Sequence, residues 1–218
     1  MAVNPYLAVH ALGECQEALH ASQVEVANLR GGLLRIGQLV GHEFEYQVRT
    51  LKSTRLSQPL FDGFRDLWVK FAMQFHEIER QTAHLYYLPA LKMRAKVDFS
   101  DFAFNWENER QKSVQSVVAI EGLLDSTRNE FKSIERFMNV FFDKTKVHFE
   151  HTVGRNVWAG PEDDVFGLLE KAGNRFTREL SELIDGVNGF HGRLVTLQKI
   201  VERGVVKAEA AKDKVSVG

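Results

Sequence analysis

Apolar residues recur along this chain at intervals alternating between three and four, in four long runs. That spacing keeps one face of an α-helix in register turn after turn and is incompatible with the alternation of a strand. The first run passes through Leu12, Cys15, Leu19, Ser22, Val26, Leu29, Leu33, Ile36 and Val40, then slips by one step of four to Phe44, Val48 and Leu51. The second run spans Phe64 to Leu85, the third Val117 to Phe141, and the fourth Val165 to Val201. The fold class that follows is all-α.

Three of the four prolines stand where a helix would begin: Pro5 after Asn4, Pro59 after a polar stretch, and Pro161 ahead of Glu162, Asp163 and Asp164. Proline at the first helical position sacrifices no hydrogen bond, and acids in the first turn suit the helix dipole. Pro89 falls late in a helical stretch and is expected to end or kink it. Helices are expected at about 6–52, 60–88, 101–152 and 162–203. Short connections between them make successive helices antiparallel neighbours. The expected architecture is an elongated antiparallel bundle of four long heptad-patterned helices, a single domain over residues 1–204. Residues 205–218 lose the helical apolar pattern and are expected to form a flexible tail.

The second and third helices carry more apolar surface than one seam consumes. In FMNVFF, with Met138 and Phe141 on the seam, Phe137 and Phe142 fall on its flanks and Val140 further round. Trp68 and Met73 widen the second helix in the same way. A helix with a neighbour on each side buries both flanks, and apolar surface beyond that is available to a partner. Trp68, Met73, Phe137, Val140 and Phe142 are therefore the candidate interaction surface. Self-association into a homo-oligomer is its expected use.

Glycine is concentrated in the first and fourth helices, at Gly31, Gly32, Gly37 and Gly41 and at Gly186, Gly189 and Gly192. Each interior glycine costs a helix about 1 kcal/mol against alanine. These positions are either sites of close packing or candidate hinges.

Reactive chemistry is thin. A di-metal site in such a helical protein needs two Glu-x-x-His pairs, and the chain offers one, Glu17 with His20, facing away from the seam. His76 is followed four residues later by Arg80 rather than by the second histidine of a zinc-protease helix. Cys15, the only cysteine, falls on the seam as a small buried hydrophobe. No cofactor, metal or catalytic residue is expected, and the chain is not expected to be an enzyme.

With 28 Lys and Arg against 29 Asp and Glu, the net charge of -1 gives no general attraction to nucleic acid. One local cluster stands out: Lys92, Arg94 and Lys96, in a turn rich in Leu and Met, make a candidate contact for an anionic membrane surface. The N-terminus lacks the basic, then apolar, pattern of a secretion signal, and no apolar stretch reaches membrane-spanning length. A cytoplasmic protein, peripheral at membranes in the second reading, is expected. The first functional reading is a non-enzymatic scaffold that self-associates through the aromatic-rich hairpin of helices two and three. The alternative is a membrane-acting helical protein (lipid binding, curvature or pore formation) that uses the same surface and the basic tip.

Overall fold

The computed structural model describes residues 4–53, 57–94, 100–151 and 165–216, with side chains except at 53, 100, 101, 144–151 and 216. The elements are α1 (Pro5–Gln38), a π turn (Leu39–Phe44), α2 (Glu45–Ser53), α3 (Gln58–His84), a 3-10 turn (Leu85–Tyr87), α4 (Pro89–Lys92), α5 (Ser100–His151) and α6 (Val165–Ser216). The chain is all-α, with no strand among the described residues.

The helix starts follow from capping. The Asn4 side-chain carbonyl accepts the Tyr6 N–H at 3.0 Å, with Pro5 as the first helical residue. Pro59 is the second residue of α3. Pro161 lies outside the described residues. As expected, the helical stretch ends ahead of Pro89: α3 gives way after His84 to the 3-10 turn, which stops at Tyr87, and Pro89 then opens α4 as its first residue. Leu88 before it is extended, with ψ 133°, because the proline ring disfavours a helical conformation in the preceding residue.

The slip in the first run has a structural counterpart. Between Leu39 and Phe44 the helix widens into a π turn, in which the Glu45 N–H points at the Val40 carbonyl five residues back. A π turn inserts one residue into an otherwise α-helical register. That insertion lets Leu39, Val40 and Phe44 all face inward and returns Val48 and Leu51 to the buried side.

The expected tail is helical. α6 continues to Ser216, and Ala208 in that stretch is fully buried. Beyond Val201 the seam persists in small residues, Gly204 and Ala208, which carry too little hydrocarbon to register as an apolar run. A β-carbon at Gly204 would lie 3.0 Å from both Leu12 and Phe102, so the absent side chain is what admits their contact.

Packing groups the chain into two compact units, one of residues 1–30, 81–121 and 185–218, the other of 31–80 and 122–184. In the first, α1 and α6 run in opposite senses, joined by Gln23 to Gln198 at 2.9 Å and Arg30 to Asn188 at 2.7 Å. Between them and α5 lie Leu12, Leu19, Val26, Trp106, Ile120, Phe190 and Leu194, all essentially without solvent contact.

The second unit is built on aromatic rings. Phe131 of α5 stacks on Phe75 at 4.4 Å between centroids and on Trp68 at 5.4 Å, and meets Phe71 edge-on at 5.4 Å. Phe176 of α6 meets Phe71 and Phe75 edge-on, and Phe141 packs against Phe64 and Phe166. Offset and edge-on pairs of this kind contribute about 0.5–1.5 kcal/mol each beyond their buried area.

The close approach at Gly204 separates two classes of glycine. Around Gly189 a β-carbon meets nothing within 4 Å, so Gly189→Ala should raise unfolding stability by about 1 kcal/mol through helix propensity alone. At Gly204 overpacking of about 1–3 kcal/mol offsets that gain, so Gly204→Ala should leave the protein no more stable than the parent. Urea unfolding of the two variants checks this, and an equal gain at both positions would contradict tight packing at Gly204.

Candidate interaction surfaces

The structure divides the five candidate interaction residues between core and surface. Trp68 is buried, stacked on Phe131, and so is not available to a partner. Phe142 is half-buried and turns its ring edge-on to Phe61 at 5.6 Å. Phe137 is half-buried, while Met73, 68% exposed, and Val140 face solvent. Met138 and Phe141 are fully buried. Of the surplus in FMNVFF, Phe142 is taken up by Phe61, Phe137 is half-buried and Val140 stays exposed, while α5 has neighbours on both flanks in the second unit. On one flank Phe142 meets Phe61 and Arg128 meets Glu79; on the other Glu130 binds Arg175 of α6.

What remains exposed on α3 is a row that sequence reasoning did not isolate. Val69, 48% exposed, lies one turn before Met73 on the same side of the helix. Asp66 and Lys70 border it, and Lys70 approaches Glu43 at 3.5 Å. A sequence read only for its seam assigns Val69 to the widened core, because hydrophobicity alone does not tell the outer face from a buried flank.

The basic turn is held from three directions. The buried Ser22 hydroxyl accepts the Ala90 N–H at 3.1 Å and donates to the Ala18 carbonyl at 2.7 Å. It thereby supplies a partner to the start of α4, which Leu88 cannot cap. At the other end, Arg110 donates to the Leu91 carbonyl at 2.8 Å and Trp106 to the Met93 carbonyl at 3.4 Å. Lys92 projects from this frame with its ammonium 4.6 Å from the Tyr87 ring centroid, and Arg94 is exposed. Lys96 lies outside the described residues.

The candidate hinge glycines are all helical. Gly31 and Gly37 meet only the ends of Arg35 and Leu180, Gly32 is buried, Gly186 is half-buried, and Gly41 stands within the π turn. Gly189 and Gly192 border open space.

A groove the sequence reading did not assemble runs between the N-terminal turns of α5 and the C-terminal turns of α6, within the first unit. It has a volume of about 1010 Å³ and lies between residues 102–112 and 196–207. Its sequence signals were present but scattered: basic residues at four-residue spacing in Lys199, Arg203 and Lys207, and Phe104 off the seam.

Ionisable groups support the frame more than they suggest catalysis. Burial raises the Cys15 thiol to about 11, with Glu14 adding to the effect, so the thiolate nucleophile is suppressed. Burial alone would raise Glu79, but hydrogen bonds from Arg128 and His76, and their charges, hold it below the ordinary carboxylate value. Hydrogen bonding from Arg110 holds Glu107 low against the opposing effect of burial. Burial, reinforced by Arg30, lowers His191. Glu17 and His20 are both exposed, and among the described residues no three His, Cys, Asp or Glu side chains gather as a metal ion would need. No helix among those residues is long and apolar enough to cross a membrane.

Comparison of the chain with protein-family models, with curated proteins and with solved structures finds no match.

These shifts fix the sign of the acid response. An imidazole held low keeps its full contribution above the unfolded value of 6.5 and loses it as pH falls toward the folded one. Carboxyls held low contribute fully above 4.5 and lose that contribution as pH falls through their folded values. Urea midpoints should therefore drop on going from about pH 7.5 to 5.5 and again toward about pH 3.5. His191→Gln should flatten the first drop and leave the second.

Proposed function

We propose that this chain is a non-enzymatic helical interaction protein whose copies associate through the outer face of α3. The observation that carries the reading is the pair Val69 and Met73, exposed on successive turns of α3 while Phe64, Phe71, Phe75 and Ile78 on its seam are buried. Long apolar side chains kept in water on one helix face are stabilised by a second apolar face. Val140 and the half-buried Phe137 on α5 extend the apolar surface of the same unit. Glu and Lys at the rim suit a polar border around an apolar centre.

A second reading, contact with an anionic membrane surface, draws on a different observation. Tyr87 is 66% exposed beside Lys92, with Arg94 two residues on. Tyrosine and basic side chains together suit the headgroup region, and each basic residue there contributes on the order of 1 kcal/mol.

Light scattering coupled to size-exclusion chromatography tests the first reading. The parent should elute as a dimer or larger and Met73→Glu as a monomer of unchanged helicity. A monomeric parent would contradict self-association. If the parent sediments with phosphatidylserine vesicles, and Lys92→Glu with Arg94→Glu abolishes this, the second reading takes precedence.

A further inference from the structure

The α5–α6 groove lies in the other unit from Val69 and Met73, and its chemistry differs. Phe102, largely buried, forms part of its floor, and Phe104, Ile200 and Val206 add apolar surface. Phe104 is 71% exposed and Val206 67%. Along the banks stand Lys112, Lys199, Arg203 and Lys207. Two acids lie among these cations, and both are engaged: Glu109 with Arg193 at 3.2 Å and Lys112 at 3.5 Å, and Glu202 with Gln198 at 2.9 Å. Lys199 and Arg203 make no ion pair among the described residues. The groove is therefore an apolar trough with a surplus of positive charge.

We propose that this trough docks an amphipathic α-helix of a partner protein, about three turns long, with an apolar row flanked by Glu or Asp. Length supports a helix, since bank segments of about 11 residues span roughly 15 Å at 1.5 Å per residue. Charge spacing supports it as well. Lys199, Arg203 and Lys207 are four residues apart on one face of α6, a rise of about 6 Å each. Acids at i, i+4 and i+8 of a helix lying along α6 repeat at the same interval. A single carboxylate or phosphate cannot reach cations spread over about 12 Å. A flat bilayer fits a concave site poorly, because its surface cannot follow the trough down to Phe102. A nucleic-acid strand would carry its phosphates past Glu109 and Glu202 and find in Phe104 one exposed aromatic ring on which to stack a base. Apolar anchors at helical spacing set into such a groove are a recurrent mode of helix recognition.

The test is fluorescence anisotropy of the full chain with a labelled synthetic peptide of about 18 residues, leucine at i, i+3 and i+4 spacing and glutamate on both flanks. Saturable binding is expected. It should weaken roughly tenfold or more in Lys199→Glu with Arg203→Glu, and clearly in Phe104→Ser, with circular dichroism confirming that the variants stay helical. The milder pair Lys199→Gln with Arg203→Gln should weaken it in the same direction. Met73→Glu should leave peptide binding unchanged, which separates this site from the proposed self-association face. Absence of binding would overturn the proposal. So would equal binding of a peptide with glutamine for glutamate, or of an acidic peptide without the leucines. An oligothymidylate or phosphatidylserine vesicles competing as strongly as the peptide would reassign the trough to a polyanion or to lipid. Loss of self-association in the groove variants would reassign it to a second copy of the chain.

Discussion

Phe44 faces inward because the turn before it holds one residue more than an α-helix would. Without that residue the seam that reaches Val40 would continue at position 43, and Phe44 would rotate by about 100° toward solvent. As folded, its ring lies 5.6 Å from Phe64 and 5.9 Å from Phe71, and a β-carbon at Gly173 would lie 3.7 Å from it. Phe44 thus ties three helical segments of the second unit together. The rings of Phe71, Phe75, Phe131 and Phe176 continue that cluster.

This packing decides what is left for function. Aromatic side chains on a widened helix face are ambiguous between core and interface until their neighbours are known. Here Trp68 and Phe142 are spent on Phe131 and Phe61, so the surface available to other molecules is smaller than a count of rings suggests. Exposed apolar side chains are spread over both units, Leu7, Leu34, Val118 and Leu168 among them; two places with distinct surroundings are the Val69 and Met73 pair on α3 and Phe104 beside a basic trough in the other unit. Those two places differ in charge, and charge is what would let one chain address two kinds of partner.

Much of the helical layout was legible because the heptad signal is long and redundant: the first run is expected over 6–52 and found, π turn included, over 5–53. The phase slip at Val40 was also visible, although a slip in sequence does not say whether the helix bends, breaks or widens. Three features were not legible, each for a physical reason. A seam continued in Gly204 and Ala208 has too little hydrocarbon to stand out, although contact geometry makes it as specific as leucine would. Ser22 reads as a weak seam residue, yet its hydroxyl serves the Ala90 N–H 68 residues away, a partnership that exists only after folding. The trough depends on two helix segments nearly a hundred residues apart, so its basic and apolar parts read separately as the end of one helix and the opening of another.

The dependence of the second unit on one inserted residue is open to direct measurement. Deleting Gly41, whose site meets no side chain within 4 Å, removes no packing contact of its own and changes only the register. With Phe44 turned out of the cluster, urea unfolding of the deletion variant should show a loss of roughly 3 kcal/mol or more, the scale of removing a large aromatic from a core. An unfolding curve superimposable on the parent would contradict it, and would mean that the aromatic cluster does not rely on the π turn to bring Phe44 inside.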